Sequence, residues 1–427
     1  MIDARAAAAL ALFVGAYVLF VVRERYQLPV AVLAALVVVG LGLVSVGSLL
    51  PNGWSGQGGV LEWNTLGLLV GLFLFAALLR ELGLFRWIAE HLELRFRGRP
   101  LALFLALVGA SFGLSAFLNS ISVLFVLASV TLEVAAVMGV DPVPLLIAEI
   151  SAANAGGAAT FVGDPPNVIL GTYFQLSFGD FLLHAALPAL AALAVVVFAF
   201  SRSTRKAHPP SVADGVEARA PPPASPPLVI GIGAFAAMLA VLAVSPSIGV
   251  PVWVVGVAGG LAALLLAGPS RIRAVLRDFD WPTLAFFASL FVLVGALVQT
   301  GVIGDFAAGL DQAGGGNLLL TGTLLFWSFG LLSSVVNNVP LAAAAAPLIV
   351  AIGAGTGVPT RPLVYAAALG SDIGGSGTPI GASANVVGVA VYRRAGVAVG
   401  WGQYLRLAFP VMVVSLAAAN VVWLFVR

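Results

Sequence analysis

Cysteine is absent from the 427 residues, and lysine occurs once, at Lys206. Without thiols there is no disulfide, no thiolate metal site and no cysteine nucleophile. A Walker A loop needs a lysine behind its glycines. Lys206 stands instead in a proline-rich polar stretch, which excludes ATP hydrolysis of that kind. No HExxH occurs, and His91, His184 and His208 fall in or near loops at spacings unlike those of a zinc site. Charge is also scarce: 9% of residues are Asp, Glu, Lys or Arg, against about 25% in soluble domains. So few charges cannot cover a soluble chain of this length. The net charge of +2 gives nucleic acid no basic face. No catalytic constellation accompanies these absences, so the chain does not read as an enzyme, and no cofactor is expected beyond coupling ions.

What fills the sequence is apolar. Hydrophobic residues make up 61%, in runs near the ~20 residues that cross a bilayer. The lipid bilayer is therefore the first expected partner. The run 6–22 does not read as a signal peptide. It has no basic start beyond Arg5 and no small-residue cleavage site before the next run.

The chain also contains itself twice. A shift of 218 residues lays Glu62-Trp63 on Asp280-Trp281, Asn119 on Asn337 and Pro144 on Pro362. The same shift lays Gly156, Gly157, Thr160, Gly163 and Asn167 on Gly374, Gly375, Thr378, Gly381 and Asn385. Residues 1–200 form the first repeat, and 228–427 the second. The polar linker 201–227 is rich in proline and serine and expected to be extended. Each repeat offers three apolar spans, then an amphipathic stretch (84–98, and more weakly 303–313). Two apolar arms around a polar tip follow (100–138, 318–352), then a broken span (144–176, 362–392) and a last span. The expected fold is an all-α polytopic membrane protein. It has two inverted-topology repeats, about ten spanning helices, two re-entrant hairpins and two broken helices. The arms alone leave open whether they dip and return or cross fully.

Inversion follows from crossing parity, since each repeat crosses an odd number of times. Of the 20 Lys and Arg, 17 then fall on one side and only Arg5, Arg361 and Arg427 on the other. By the positive-inside rule the crowded side is cytoplasmic. Both termini are expected outside, the linker in the cytoplasm and the protein in the inner (plasma) membrane.

Chemistry concentrates at the tips and breaks. Residues 152–167 read AANAGGAATFVGDPPN, and 371–385 read SDIGGSGTPIGASAN. Consecutive prolines and clustered glycines oppose helix. Broken backbone at membrane depth survives only where protein or a watery cavity supplies partners. Helix N-termini there suit anions, while carbonyls and hydroxyls suit sodium. The candidate binding residues are Asn119, Ser120 and Ser122 at the first tip, and Asn154, Thr160, Asp164 and Asn167 at the first break. Their counterparts are Asn337 and Asn338 at the second tip, and Asp372, Thr378, Ser383 and Asn385 at the second break. Glu149, Asp164 and Asp372 are carboxylates at membrane depth, where acids are expensive and functional. They are the candidates for proton or cation coupling. Sodium is the metal to expect, at the tips and breaks. The competing structural role for the acids is to cap the breaks, and for Trp63 and Trp281 it is interfacial anchoring. No basic residue is expected at membrane depth.

At these residues the sequence resembles the ion transporter superfamily. GGAATFVGDPPNVILG and GGSGTPIGASANVVG look like its broken-span motifs, and SAFLNS and SSVVNNVP like its hairpin tips. The GDPPN form is nearest to arsenite/anion permeases and sodium/proton antiporters, relatives of divalent anion:sodium symporters. The resemblance implies re-entrant hairpins, a mobile transport domain, elevator-like alternating access and a homodimer. It also leaves room for a separate ATPase subunit. The chain departs from that branch in having Asn119 and Asn337 where Asp is frequent, and it lacks the Ser-Asn-Thr tips of dicarboxylate symporters. The expected function is secondary-active transport of a small ion, as an anion or arsenite permease coupled to protons or sodium. A sodium/proton antiporter is the alternative, and a channel stands third.

Overall fold

The fold is that of a computed structural model. It describes residues 3–23, 26–50, 59–96, 99–118, 120–201, 223–305 and 316–427. Asn119, nearly all of the expected linker and most of the stretch 303–313 lie outside the described residues.

The described residues form helices and no strand. The first half holds α1 (Ala4–Val22), α2 (Gln27–Gly40), α3 (Trp63–Glu81), α4 (Leu84–Phe96), α5 (Pro100–Ser115), α6 (Ser120–Met138), α7 (Pro142–Ala158), α8 (Pro165–Tyr173) and α9 (Phe178–Phe200). The second holds α10 (Pro226–Val244), α11 (Val252–Asp278), α12 (Trp281–Gln299), α13 (Leu318–Ser333), α14 (Asn338–Thr356), α15 (Thr360–Gly375), α16 (Ser383–Arg394) and α17 (Trp401–Val426). Local chemistry sets many of the starts. Asp3 caps α1, Asp280 caps α12 through the Thr283 N–H at 3.1 Å, and Asn317 caps α13. Proline occupies the first turn of α5, α7, α8 and α10, where a missing N–H costs nothing.

The repeat is visible in the helix starts. Those of α3, α5, α6, α7 and α8 precede those of α12, α13, α14, α15 and α16 by 218 residues each. Packing follows the same symmetry. α3 lies on α11 as α12 lies on α2, and α5 lies on α7 as α13 lies on α15. The halves also interlock, with α6 on the other repeat's α16 and α14 on α8. At the α3–α11 crossing, Gly71 faces Gly256 with no room for a Cβ on either. This lets the backbones touch, as small residues do between membrane helices.

Seven helices, α3, α9, α10, α11, α12, α14 and α17, are long and apolar enough to cross a membrane. The arms α5 and α13 have 16 residues each, about 24 Å of helix against a ~30 Å hydrocarbon core. The polar residues at their far ends are buried, beside exposed Phe117 and Val335. Ser115, Ser120, Ser333, Ser334 and Asn338 are all buried against the breaks. α14 has spanning length yet begins at one of these buried tips. The arms therefore dip and return. α11 kinks at Gly268, whose φ of 65° suits glycine, just before Pro269. The kink separates the apolar span from the basic segment carrying Arg271, Arg273 and Arg277.

Candidate functional site

The two breaks are held open by the same hydrogen bonds. In the first, Asn167 Nδ2 donates to Gly157 O at 2.7 Å and Thr160 O at 2.9 Å. In the second, Asn385 Nδ2 donates to Gly375 O at 2.7 Å and Thr378 O at 2.8 Å. The Thr160 hydroxyl donates to Ala116 O and the Thr378 hydroxyl to Ser334 O, which ties each break to its own hairpin tip. Gly163 and Gly381 pass so close to the carbonyls of Gly157 and Gly375 that a Cβ would collide. These bonds answer the demand that unwound backbone at membrane depth find partners. Thr160, Asn167, Thr378 and Asn385 are thus committed largely to backbone.

Between the breaks lie the two acids. Asp164 is the N-cap residue of α8. Its Oδ1 accepts from Ser120 Oγ at 3.3 Å and its Oδ2 from Asn338 Nδ2 at 2.8 Å. The other hydrogen of that amide goes to Asp372 Oδ1 at 3.1 Å. A single asparagine from the second hairpin therefore bridges an acid of each repeat. Beside it, Asn337 Nδ2 donates to Ser383 Oγ at 3.0 Å, and Asn154 Nδ2 donates to Asn385 Oδ1 at 3.0 Å.

A cavity of about 240 Å³ opens against this cluster. Its wall contains Ser120 and Ile121, Pro165, Asn338 and Val339, and Ser383 and Ala384. These are the first residues of α6, α8, α14 and α16. Four helix N-termini converge on one space, each equivalent to about half a positive charge. α8 begins with two prolines and offers its dipole without donors at those positions. At the repeat-equivalent positions of α16, Ser383 and Ala384 retain their N–H groups. Asp164 and Asn337 also face the cavity, whereas Asp372 is fully buried behind Asn338 and off the wall.

The remaining predicted residues fall elsewhere. Glu149 is buried among Phe104, Leu107, Val108 and Leu145, with the Thr131 hydroxyl donating to its Oε1. It is on neither the cavity wall nor the bridge between the acids. Ser122 lies off the wall and accepts a hydrogen bond from Arg80 Nη2. That contact brings a cation close to the site. The long side chain at the end of α3 carries its guanidinium to the first turn of α6, just past the tip. Gln27, Thr283, Phe286 and Phe287 complete the opposite wall. Nothing in the sequence marks them, because α2 and the start of α12 read as ordinary apolar spans.

A second cavity, about 180 Å³, sits at the other ends of α8, α12 and α14, lined by Glu62, Tyr173, Gln299 and Pro347 among others. Asn167, Leu290 and Ala342, which fall in sequence between residues lining the two cavities, are buried.

Residues 17–370 match the profile of the family described as CitMHS, citrate transporter. The chain is 34% identical over 435 residues to an uncharacterised transporter of Mycobacterium tuberculosis strain H37Rv, covering 97% of each. It is 32% identical over 445 residues to an uncharacterised transporter of Synechocystis, covering 97% of this chain and 96% of the relative. Among solved structures, the YdaH transporter of Alcanivorax borkumensis shares the fold. The TM-score is 0.59 at 17% identity, over 84% of this chain and 85% of that one. MtrF of Neisseria gonorrhoeae, described among antimetabolite efflux pumps, aligns with a TM-score of 0.58 at 16% identity, over 91% and 83%.

Proposed function

The chain belongs to the CitMHS citrate transporter family of the ion transporter superfamily and is a membrane transporter; from that premise we propose that it is a secondary-active permease for small anions, carboxylates of the citrate class first and arsenite second. The observation that carries the reading is the convergence of four helix N-termini on one cavity. Such ends stabilise negative charge without any basic side chain. Asp164 on the same wall opposes a bare anion. The anion therefore enters with a cation, a proton or sodium ion, that neutralises the carboxylate. This is the coupling that makes transport secondary-active.

The cavity wall includes Gln27 and Pro282, at the starts of α2 and α12. Their neighbours in sequence include Arg23 and Arg277, so by the positive-inside rule the mouth faces the cytoplasm. The conformation is then inward-facing, in an inner membrane, with the second cavity on the outside. Elevator-like movement of the hairpins and broken helices past α3 and α12 would exchange the two openings. A sodium/proton antiporter is the second reading, favoured by the bridge from Asp164 through Asn338 to Asp372.

Uptake into proteoliposomes separates these readings. Citrate, a dicarboxylate, arsenite and sodium are offered in turn, under imposed pH and sodium gradients. Saturable anion accumulation driven by a cation gradient is the expected result. Sodium movement driven by pH with no anion transported would select the antiporter. Leak of every ion down its own gradient would select a channel.

A further inference from the structure

We propose that Asp372 holds a proton on Oδ2 and donates it to Asn167 Oδ1, making this buried pair a proton-binding site set behind the cavity. Both hydrogens of the Asn167 amide are spent, on Gly157 O and Thr160 O. These two carbonyls also fix which end of the amide is nitrogen, since the reverse assignment would set oxygen against oxygen. By the repeat shift Asp372 and Asn167 stand where Asn154 and Asn385 meet at 3.0 Å in the other half, and Asn167 has only Oδ1 left to offer. Asp372 Oδ1 already accepts from Asn338. Among the described residues, Asp372 Oδ2 and Asn167 Oδ1 are both buried without a partner. Two buried acceptors left without a hydrogen are costly at this depth. One hydrogen on Asp372 satisfies both.

The other repeat shows the arrangement completed. Asn385 Nδ2 is spent on Gly375 O and Thr378 O, and its Oδ1 accepts from Asn154 Nδ2. The repeat shift places Asn154 on Asp372 and Asn385 on Asn167. An amide that always carries its donor in one half is therefore an acid that carries it only when protonated in the other. A proton also fits the space, because among the described residues Asp372 is fully buried and lines neither the large cavity nor the second one.

The surroundings add one charge. Asp141, Glu149, Asp164, Tyr173, Asp180, His184, Tyr404 and Arg406 are titratable groups on or capping the helices packed against α15. Of these only Asp164 acts on Asp372 electrostatically, and the Tyr404 hydroxyl is spent on Ser376 O. Asp164 is partnered at both oxygens and can stay ionised at the cavity. Loss of the Asp372 proton would set two acceptors against each other across α15 and α8. That contact must then open, which links protonation in one repeat to the break of the other. The proposal deepens the transport reading by assigning a coupling proton, and it rests on that reading only for the word coupling.

Its test does not use transport. Infrared difference spectra of the full chain in liposomes, recorded across a pH step, report buried protonated carboxyls directly. The expected result is a protonated-carboxyl component present in wild type, kept in Asp164→Asn and lost in Asp372→Asn, above the contribution that Glu62 makes to all three. Asn at 372 repeats the native Asn154–Asn385 pairing, so this variant should stay folded, which circular dichroism checks. In the double variant N154D/D372N the band should return, because the unmet acceptor has moved to the other repeat. A band unchanged by Asp372→Asn, or a folded double variant without one, overturns the assignment. A protein that keeps the Asp372 band yet moves no anion would fail the transport reading and leave this one standing.

Discussion

Asp164 and Asp372 are joined by one amide, but only Asp164 touches the cavity. Asp164→Asn keeps the shape and removes the charge. Cation-coupled uptake should fall by about tenfold or more, a loss of at least about 1.4 kcal/mol, while the helical circular-dichroism signal persists. Wild-type rates with unchanged cation dependence would reduce Asp164 to a cap on α8. Glu62, at the start of α3, allows a different test. Burial pushes its carboxyl from 4.5 up to about 7. Between those values the unfolded chain has already released a proton that the folded chain keeps. The stability Glu62 contributes is full below about pH 4.5 and falls as pH rises toward 7, on the order of 1–3 kcal/mol in all. In Glu62→Gln, the thermal midpoint in detergent should therefore drop less than in wild type between about pH 5 and pH 8. Equal slopes would contradict the burial. At this scale the sequence marked the acids and amides but not their division of labour. Whether Asn167 faces a ligand or a carbonyl depends on backbone it meets only after the break has formed.

The breaks and hairpins behave as units. Each asparagine clamp satisfies two buried carbonyls with one side chain. Asn385→Ala should cost about 2–4 kcal/mol, the price of leaving such groups unpaired. Thermal denaturation with and without substrate reads this as a lowered midpoint. A midpoint within error of wild type would mean that the clamp is dispensable. At the element scale the proline and glycine clusters located both breaks, because their backbone cost is local. The hairpins were harder to read. Sixteen apolar residues can dip or cross, and only the burial of Ser120 and Asn338 against the breaks decides between them. The Arg80 contact with Ser122 was hidden for the same reason, since it joins segments 42 residues apart.

Across the whole molecule, the constant shift of 218 residues made the two repeats legible before any packing was known. The cavity was not, because Gln27, Thr283 and Phe286 reach it only through the packing of α2 on α12. Orientation rests on arginine asymmetry, and the absence of native cysteine makes single-cysteine labelling clean. Cysteine at Ser211 should react with impermeant reagents only from the cytoplasm, and at Ser247 only from outside. Reversal of both would invert the molecule, and labelling from the same side would break the count of crossings. The central claim is that the cavity ringed by four helix N-termini is the transport site, and Ala384 on its wall makes no side-chain hydrogen bond that cysteine would disturb. The most direct measurement is labelling of Ala384→Cys in proteoliposomes that still accumulate anion. The account predicts labelling from the cytoplasmic side that the transported anion blocks in proportion to its occupancy. Labelling indifferent to a saturating anion, in vesicles that continue to accumulate it, would place the transport site elsewhere.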